Sequence, residues 1–525
     1  MKKHLNLFDF SQKVNYKNEI LAGLTVAMTM IPESLMFAIL AGFSPLVGLY
    51  GAFIMGLVTS IFGGRPGLIS GGAGATVVVI MALMIRANGL EYVFAAIVLA
   101  GLIQLIVGFL KLGKFIRLVP QPVMFGFVNG LAIIIFMAQM DQFKAGVGDA
   151  AAWITGPTMY VMLGLVLFTI AIIVIVPKIT KAVPASLIAI IVVFIVVYFL
   201  DIETKQVVDI INQDTLPGEE LKSLGGSLPT FHIPSVPFTF ETLKIIFPFG
   251  LTMAAVGLTE GLLTLNLVDE ITGTKGNSNR ECLAQGSANI LNGFFGGMGG
   301  CPMIAQTLVN LSAGSRARLS GIIASLTILM IILFGAPVIE LVPIAALVGV
   351  MVMVAVGTFE WASFRALRRM PKSDIFVMIL VTLITVLLHN LALAVLIGVI
   401  ISALVFAWES AKRIRARKYT DEEGIKHYEI YGPLFFGSVT TFSEKFDVEN
   451  DPDEIIIDFA ESRVSDMSAI ETLNKLTERY LKAGKKLHLK HLSQDCITLL
   501  QNADKVIDVN VMEDPTYRVV VDKVN

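Results

Sequence analysis

Two glutamates lie inside apolar segments, and they are the residues of this sequence best able to do chemistry. Glu33 sits in MIPESLMFAIL (30–40) and Glu260 in LTEGLLTLNLV (258–268). An ionised side chain near the centre of a bilayer costs at least about 2.5 kcal/mol on insertion scales, so such residues mark ion or substrate pathways. Thr259 precedes Glu260, and Thr264 follows it by four residues, on the same face of a helix. A carboxylate with hydroxyls and open carbonyls beside it can bind Na⁺ or carry a proton. The plainer reading of each glutamate is a static hydrogen bond that braces a broken helix.

Glycine supplies the second signal. Gly63, Gly64, Pro66, Gly67, Gly71, Gly72 and Gly74 form one cluster, and Gly296, Gly297, Gly299, Gly300 and Pro302 form another. Both fall at membrane depth, where irregular backbone is tolerated only if it is buried in protein or lines a cavity. A short apolar helix is expected after each, starting near Ala73 and near Pro302. The proline suits a first-turn position. Two half-helices would then aim their N-terminal amides at one central site from opposite sides. Helix N-termini carry partial positive charge and free N–H donors, so the natural ligand is an anion. Close helix packing through small residues is the alternative use of the glycines.

These positions need a membrane scaffold, and composition supplies one. Of 525 residues 55% are apolar and 16% charged, against about 25% charged in a soluble domain. Mean hydropathy is +0.75. A net charge of −2 gives no field that would favour nucleic acid. Apolar runs suited to about 30 Å of hydrocarbon fall near 20–40, 44–62, 73–86, 92–110, 121–140, 157–177 and 184–200. A second set falls near 243–270, 281–297, 302–313, 319–339, 344–362, 374–389 and 391–409. That is about fourteen, two of them too short to cross alone. Lys and Arg collect in every second connection: Lys13 and Lys17; Arg65; Lys111, Lys114 and Arg117; Lys178 and Lys181; Lys275 and Arg280; Arg316 and Arg318; Arg365 to Lys372; Lys412 to Lys418. The longest intervening connection is acidic, with Asp209, Asp214, Glu219 and Glu220. The positive-inside rule then puts both termini in the cytoplasm, and a plasma-membrane location is expected. The polar N-terminus has no cleavable-signal pattern. Cys282, Cys301 and Cys496 show no disulfide or zinc spacing and read as buried small side chains.

The two halves echo each other. The glutamate segments are offset by roughly 227 residues, and FGGRPGLISGGAGAT (62–76) matches FGGMGGCPMIAQT (295–307) at a similar offset. Seven spans per half is an odd number, so the halves would lie in opposite senses, the inverted repeat common in secondary transporters. Residues 1–418 form the membrane domain in this reading, and 419–525 a small α/β domain. In the latter EIIIDF (454–459) and KKLHLKHL (485–492) read as strands, and 468–481 and 493–502 as helices.

The chain resembles the sulfate permease family of inorganic anion transporters over nearly its whole length. The likeness rests on GLTVAMTMIPESLMFAILAG (23–42), the FGG…SGGAGAT segment, NSNRECLAQGSANILNGFFGG (277–297) and TLVNLSAG (307–314). Its tail resembles a STAS domain through IIIDFAESRVSDMSAIETL (455–473). The resemblance implies a seven-plus-seven inverted repeat with a core domain and a gate domain, usually dimeric. It places the anion between the starts of the third and tenth helices, here Ala73, Gly74, Ala75 and Thr76 and Met303, Ile304, Ala305 and Gln306. Glu260 and Thr264 match the positions of a sodium site in bicarbonate-transporting members, with Glu in place of Asp. Many members carry Arg where this chain has Gln306, and many lack an acid at Glu33.

In the STAS domain Asp466 and Ser468 align with the Asp and phosphorylated Ser of antagonist proteins. Ser468 is also read as a helix cap. The expected partners are a small anion (bicarbonate or sulfate), lipid, a second copy of the chain and a cytoplasmic protein at the STAS domain. No cofactor is expected beyond a bound Na⁺. No H-E-x-x-H, G-x-S-x-G or P-loop pattern suggests an enzyme. The alternatives are a nucleobase-type permease of the same fold and an anion sensor that signals through the STAS domain.

Overall fold

A chain segment with no water to pair its amides must pair them internally, and each of the fourteen apolar segments accordingly contains a helix. The computed structural model describes residues 15–87, 89–113, 119–145, 152–180, 183–212, 226–366, 368–388, 391–492 and 496. The expectations for residues 1–14, for Lys114, Arg117, Lys181, Asp214, Glu219 and Glu220, and for a helix at 493–502 apart from Cys496 fall outside the described residues.

The first half runs α1 (Tyr16–Leu40), α2 (Pro45–Phe62), β1 (Ser70–Gly72), α3 (Gly74–Ala87), α4 (Leu90–Phe109) and α5 (Gln121–Gln139). A small ribbon of β2 (Lys144–Ala145) and β3 (Ala152–Trp153) precedes α6 (Pro157–Ile179) and α7 (Ala185–Phe199). After the short α8 (Val207–Ile211) the second half follows as α9 (Phe240–Thr272), α10 (Ser278–Phe294), β4 (Gly300–Pro302), α11 (Ile304–Ser312) and α12 (Leu319–Phe334). It closes with a short α13 (Ala336–Glu340), α14 (Ile344–Thr358), a short α15 (Ala362–Ala366), α16 (Lys372–Leu388) and α17 (Leu391–Lys412). Eight helices among the described residues are long and apolar enough to cross a membrane. At 1.5 Å per residue α3 is only about 21 Å long and α11 about 14 Å. Both are half-helices.

The helices group into two bundles. Helices α1 to α4 pack with α9 to α12, while α5 to α7 pack with α14 and α16. Small residues allow the close crossings. Between α4 and α10, a Cβ on Gly101 would stand 2.6 Å from the Gly286 carbonyl oxygen, and one on Gly286 2.7 Å from that of Gly101. Contacts of α1 with α7 and α14, and of α3 with α5, join the bundles.

Two compact units divide the chain, Met1–Val399 and Ile400–Asn525. The second contains β5 (Arg415–Thr420), β6 (Lys426–Leu434), α18 (Val439–Ser443), β7 (Glu454–Val464), α19 (Met467–Lys482) and β8 (Lys486–Lys490). The sheet order is β5-β6-β7-β8, antiparallel at the first pair and parallel at the other two. Ile455, Ile457 and Phe459 alternate into a core shared with Ile470, Leu473, Leu476 and Tyr480. Buried Asp451 accepts hydrogen bonds from Tyr428 and Tyr480, each at 2.6 Å. Burial first, and the carboxylate second, push both phenols well above their usual range. Strand β5 begins at Arg415 and Ile414 belongs to this core, so position 418 lies inside a strand.

Candidate functional site

The glycine-rich stretches meet as strands. Strands β1 and β4 pair antiparallel, with Ser70 opposite Pro302, Gly71 opposite Cys301 and Gly72 opposite Gly300. Equivalent segments of the two halves thus run in opposite directions about a local two-fold centred on Gly71 and Cys301. Only glycine allows the approach: a Cβ on Gly300 would stand 1.9 Å from the Gly71 carbonyl oxygen. Pro302 is not in the first turn of a helix, as its sequence context suggests. It ends β4, and Met303, extended at φ −102°, is the N-cap of α11. The pairing holds it there, because Met303 N donates to the Ile69 carbonyl at 2.9 Å.

The half-helices leave the strand pair at its opposite ends. In α3 the amides of Thr76 and Val77 donate to the Ala73 carbonyl at 3.0 and 3.1 Å. In α11 Thr307 N donates to the Met303 carbonyl at 3.1 Å, so the amides of Ile304, Ala305 and Gln306 precede the first intrahelical bond. Ala73, Ala75, Thr76, Met303 and Gln306 are buried. Gly74 and Ile304 are half-buried and Ala305 is exposed. The Thr76 hydroxyl is committed to the carbonyls of Ala73 and Gly299, at 2.8 and 3.0 Å, and so ties the two halves together. Phe37 of α1 and Ile135 of α5 stand over Gly74, so α3 begins where the two bundles face each other.

Both glutamates reach the same β4–α11 unit. The Gln306 side-chain amide donates to buried Glu33, which links a residue of the expected anion site to one expected to couple ions. The Cys301 thiol donates to Glu260 at 3.2 Å. The Thr264 hydroxyl donates to the Glu260 backbone carbonyl at 2.7 Å, and that of Thr259 to the Ala255 carbonyl at 2.8 Å. Neither threonine spends its proton on the carboxylate.

Sequence reasoning missed the residues that support this site. Asn289 clamps Gly300, with Gly300 N donating to its Oδ1 at 2.9 Å and its Nδ2 donating to the Gly300 carbonyl at 3.1 Å. Its Nδ2 also donates to Gln104 at 2.9 Å. Asn310 donates to the Gly67 carbonyl at 2.9 Å, and Ile69 N donates to the Thr307 hydroxyl at 3.1 Å. Glu281 accepts from Gly64 N at 2.7 Å. Glu281, Gln285 and Asn289 recur every four residues, a buried polar stripe on α10 that helical periodicity could have shown. Arg65 and Arg318, read as loop charges, are buried. Arg65 binds Thr272, Thr274 and Asp269, and Arg318 donates to the carbonyls of Ser60 and Gly63 at 2.9 and 2.8 Å. Glu19 accepts from three amides at the start of α12, those of Arg316, Ala317 and Ser320.

In the C-terminal unit the cap of α19 is Asp466 and not Ser468. Asp466 accepts from Ala469 N at 2.9 Å and from Phe436 N at 2.7 Å. Ser468 lies exposed in the first turn, with its carbonyl accepting from Thr472. The carboxylate two residues earlier already has the extended backbone that a cap needs.

Two half-helices joined by a central strand pair, inside an inverted repeat of apolar helices, define the class of secondary membrane transporters with discontinuous helices. Residues 16–381 match the sulfate permease family and residues 417–518 the STAS domain. The chain belongs to the sulfate permease family, a family of multi-pass anion transporters, and carries a C-terminal STAS domain. YbaR of Bacillus subtilis, provisionally named a sulfate transporter, is 40% identical over 93% of this chain and 97% of its own. The bicarbonate transporter BicA of Picosynechococcus is 27% identical over 91% of this chain and 90% of its own. The solved transmembrane domain of a cyanobacterial BicA superposes with a TM-score of 0.61 at 28% identity, over 74% of this chain and 97% of that one. The overall structure of SLC26A9 shares the fold, with a TM-score of 0.77 at 18% identity over 93% of this chain and 86% of that one.

Proposed function

We propose that this protein moves a small inorganic oxyanion, bicarbonate or sulfate, by alternating access, driven by a coupled Na⁺ or H⁺. The observation that carries this reading is the joining of two half-helix starts by one strand pair, with a carboxyl group bonded to its β4 strand and another to the α11 helix that follows. The half-helix amides of α3 and α11 bind the anion. Gln306 is neutral and engaged with Glu33, so backbone dipoles rather than a fixed side-chain charge supply the attraction. That suits a compact oxyanion held by N–H donors. The names of YbaR and BicA fall on the same two anions.

An anion entering against an inside-negative potential is opposed by about 2.3 kcal/mol per charge per 100 mV. A co-transported cation offsets this. Glu260 is its ligand, with Thr264 as second oxygen donor for Na⁺, and Glu33 is the matching carboxyl of the first half. The protein makes and breaks no covalent bond in this cycle. It lies in the plasma membrane as a homodimer with both termini cytoplasmic, as the basic connections favour, and its STAS domain meets a cytoplasmic protein through the surface around Asp466 and Ser468.

The test is labelled bicarbonate and sulfate accumulation in proteoliposomes under imposed Na⁺ or H⁺ gradients. Glu260→Gln keeps the shape and removes the charge. Gradient-driven accumulation is expected to fall at least about tenfold, while downhill anion exchange persists. Unchanged accumulation under both gradients would leave Glu260 a bracing role only.

A further inference from the structure

The connection between α14 and α16 brings cations and aromatic rings together. Arg365, Arg368, Arg369 and Lys372 fall within eight residues, and all four are exposed. None is ion-paired among the described residues. Beside them Phe359, Trp361 and Phe364 form a cluster with ring centroids 5.0, 5.6 and 6.1 Å apart. Trp361 is 56% and Phe364 57% exposed. The rings are held in place. Glu360 N donates to Asn129 Oδ1 of α5 at 2.8 Å, and Asn129 Nδ2 donates to buried Ser363 at 2.9 Å. The Trp361 indole donates to the Val356 carbonyl at 2.9 Å. The nearest acids in the chain are Glu360, which accepts from Ala362 N at 3.2 Å, and Asp374 in the first turn of α16.

This connection caps two apolar helices, so it lies where hydrocarbon gives way to headgroups. Exposed Trp rings collect at that level, and guanidinium groups pair with phosphate in a bidentate way. We propose that the connection is a binding site for an anionic phospholipid. The arginines and Lys372 hold the headgroup phosphate, and Trp361 and Phe364 lie among the upper acyl chains. A soluble anion or an acidic protein surface would account for the cations but would leave the aromatic rings in water. Asn129 ties the site to α5, so the bound lipid anchors the bundle of α5, α14 and α16.

The chain has three tryptophans, Trp153, Trp361 and Trp408. With Trp153→Phe and Trp408→Phe in the full chain, Trp361 fluorescence reports on this site alone. The parent is reconstituted in phosphatidylcholine that contains an equal fraction of brominated phosphatidylglycerol or brominated phosphatidylcholine. The anionic lipid is expected to quench more strongly, each cation favouring it by up to about fivefold. Arg365→Gln, Arg368→Gln, Arg369→Gln and Lys372→Gln together should abolish the preference. Quenching by brominated phosphatidylcholine should persist in that variant, which shows that the rings keep their depth and the protein its fold. Equal quenching by the two lipids in the parent overturns the proposal, as does a preference that survives the fourfold substitution. Absence of quenching by either lipid also overturns it, because the rings would then lie outside the bilayer. Loss of the preference on adding inorganic phosphate at constant ionic strength would assign the cations to a soluble anion instead.

Discussion

Gly74 and Ala305 occupy matching half-helix starts, yet they differ in what they tolerate. A Cβ on Gly74 would stand 2.8 Å from Ile135 Cδ1 and 3.1 Å from Phe37 Cζ, whereas Ala305 is exposed. Gly74→Leu should therefore block uptake and also destabilise the fold by about 1–3 kcal/mol through overpacking. Ala305→Trp should block uptake and leave the melting temperature near wild type. Labelled-anion uptake beside thermal unfolding in detergent separates the two effects. Wild-type uptake by Ala305→Trp would remove α11 from the anion path. The glutamates and the half-helix starts were legible in the sequence because their residue types conflict with their apolar surroundings. Their partners were not. Nothing in the local sequence shows that Glu260 meets Cys301 or that Glu33 meets Gln306.

At the scale of elements, α19 offers a direct comparison of two candidate caps. Asp466→Ala removes the acceptor of the Ala469 and Phe436 amides and should cost the STAS domain about 1 kcal/mol. Ser468→Ala should change its stability by less than about 0.5 kcal/mol, as at other exposed positions. Urea unfolding followed by circular dichroism on both variants checks this, and an equal loss in both would reinstate Ser468 as a cap. Long periodic elements were read correctly, including β7, α19 and β8. The β5–β6 hairpin was missed, although Tyr428 and Ile430 alternate inward and Gly424, at φ +83°, marks the turn. The membrane composition that precedes it hid a short strand in which half the residues are charged, Arg415–Thr420. Strands β1 and β4 were read only as irregular backbone, since three-residue strands carry no periodicity of their own.

For the whole molecule, the two units have separate cores, and each should survive without the other. A chain ending at Lys412 is expected to insert in the membrane and run as a single species on size exclusion. One ending at Lys418 should insert as well but carry an unpaired fragment of β5, whose hydrogen-bonding partner β6 is gone, and it should aggregate more readily. Loss of the Lys412 chain from the membrane fraction would mean that the units fold as one. The inverted repeat was visible as paired spacing of short motifs, and the strand pair shows its axis. The division of the helices into two bundles was not legible from spacing or composition, because every apolar helix presents a similar surface to a sequence scan.

What the sequence determined by itself is set by quantities local to the chain. Hydrophobic length dictates helices, glycine clusters dictate where helices break, and a buried acid marks a costly position that needs a partner. Tertiary structure alone decided the partners, since Glu260 and Cys301 are 41 residues apart and Glu33 and Gln306 are 273 apart. It also decided that Asn289 clamps Gly300 and that Thr76 bridges the halves. A buried polar group must be satisfied, but many donors can satisfy it, and only the packed fold selects which one arrives.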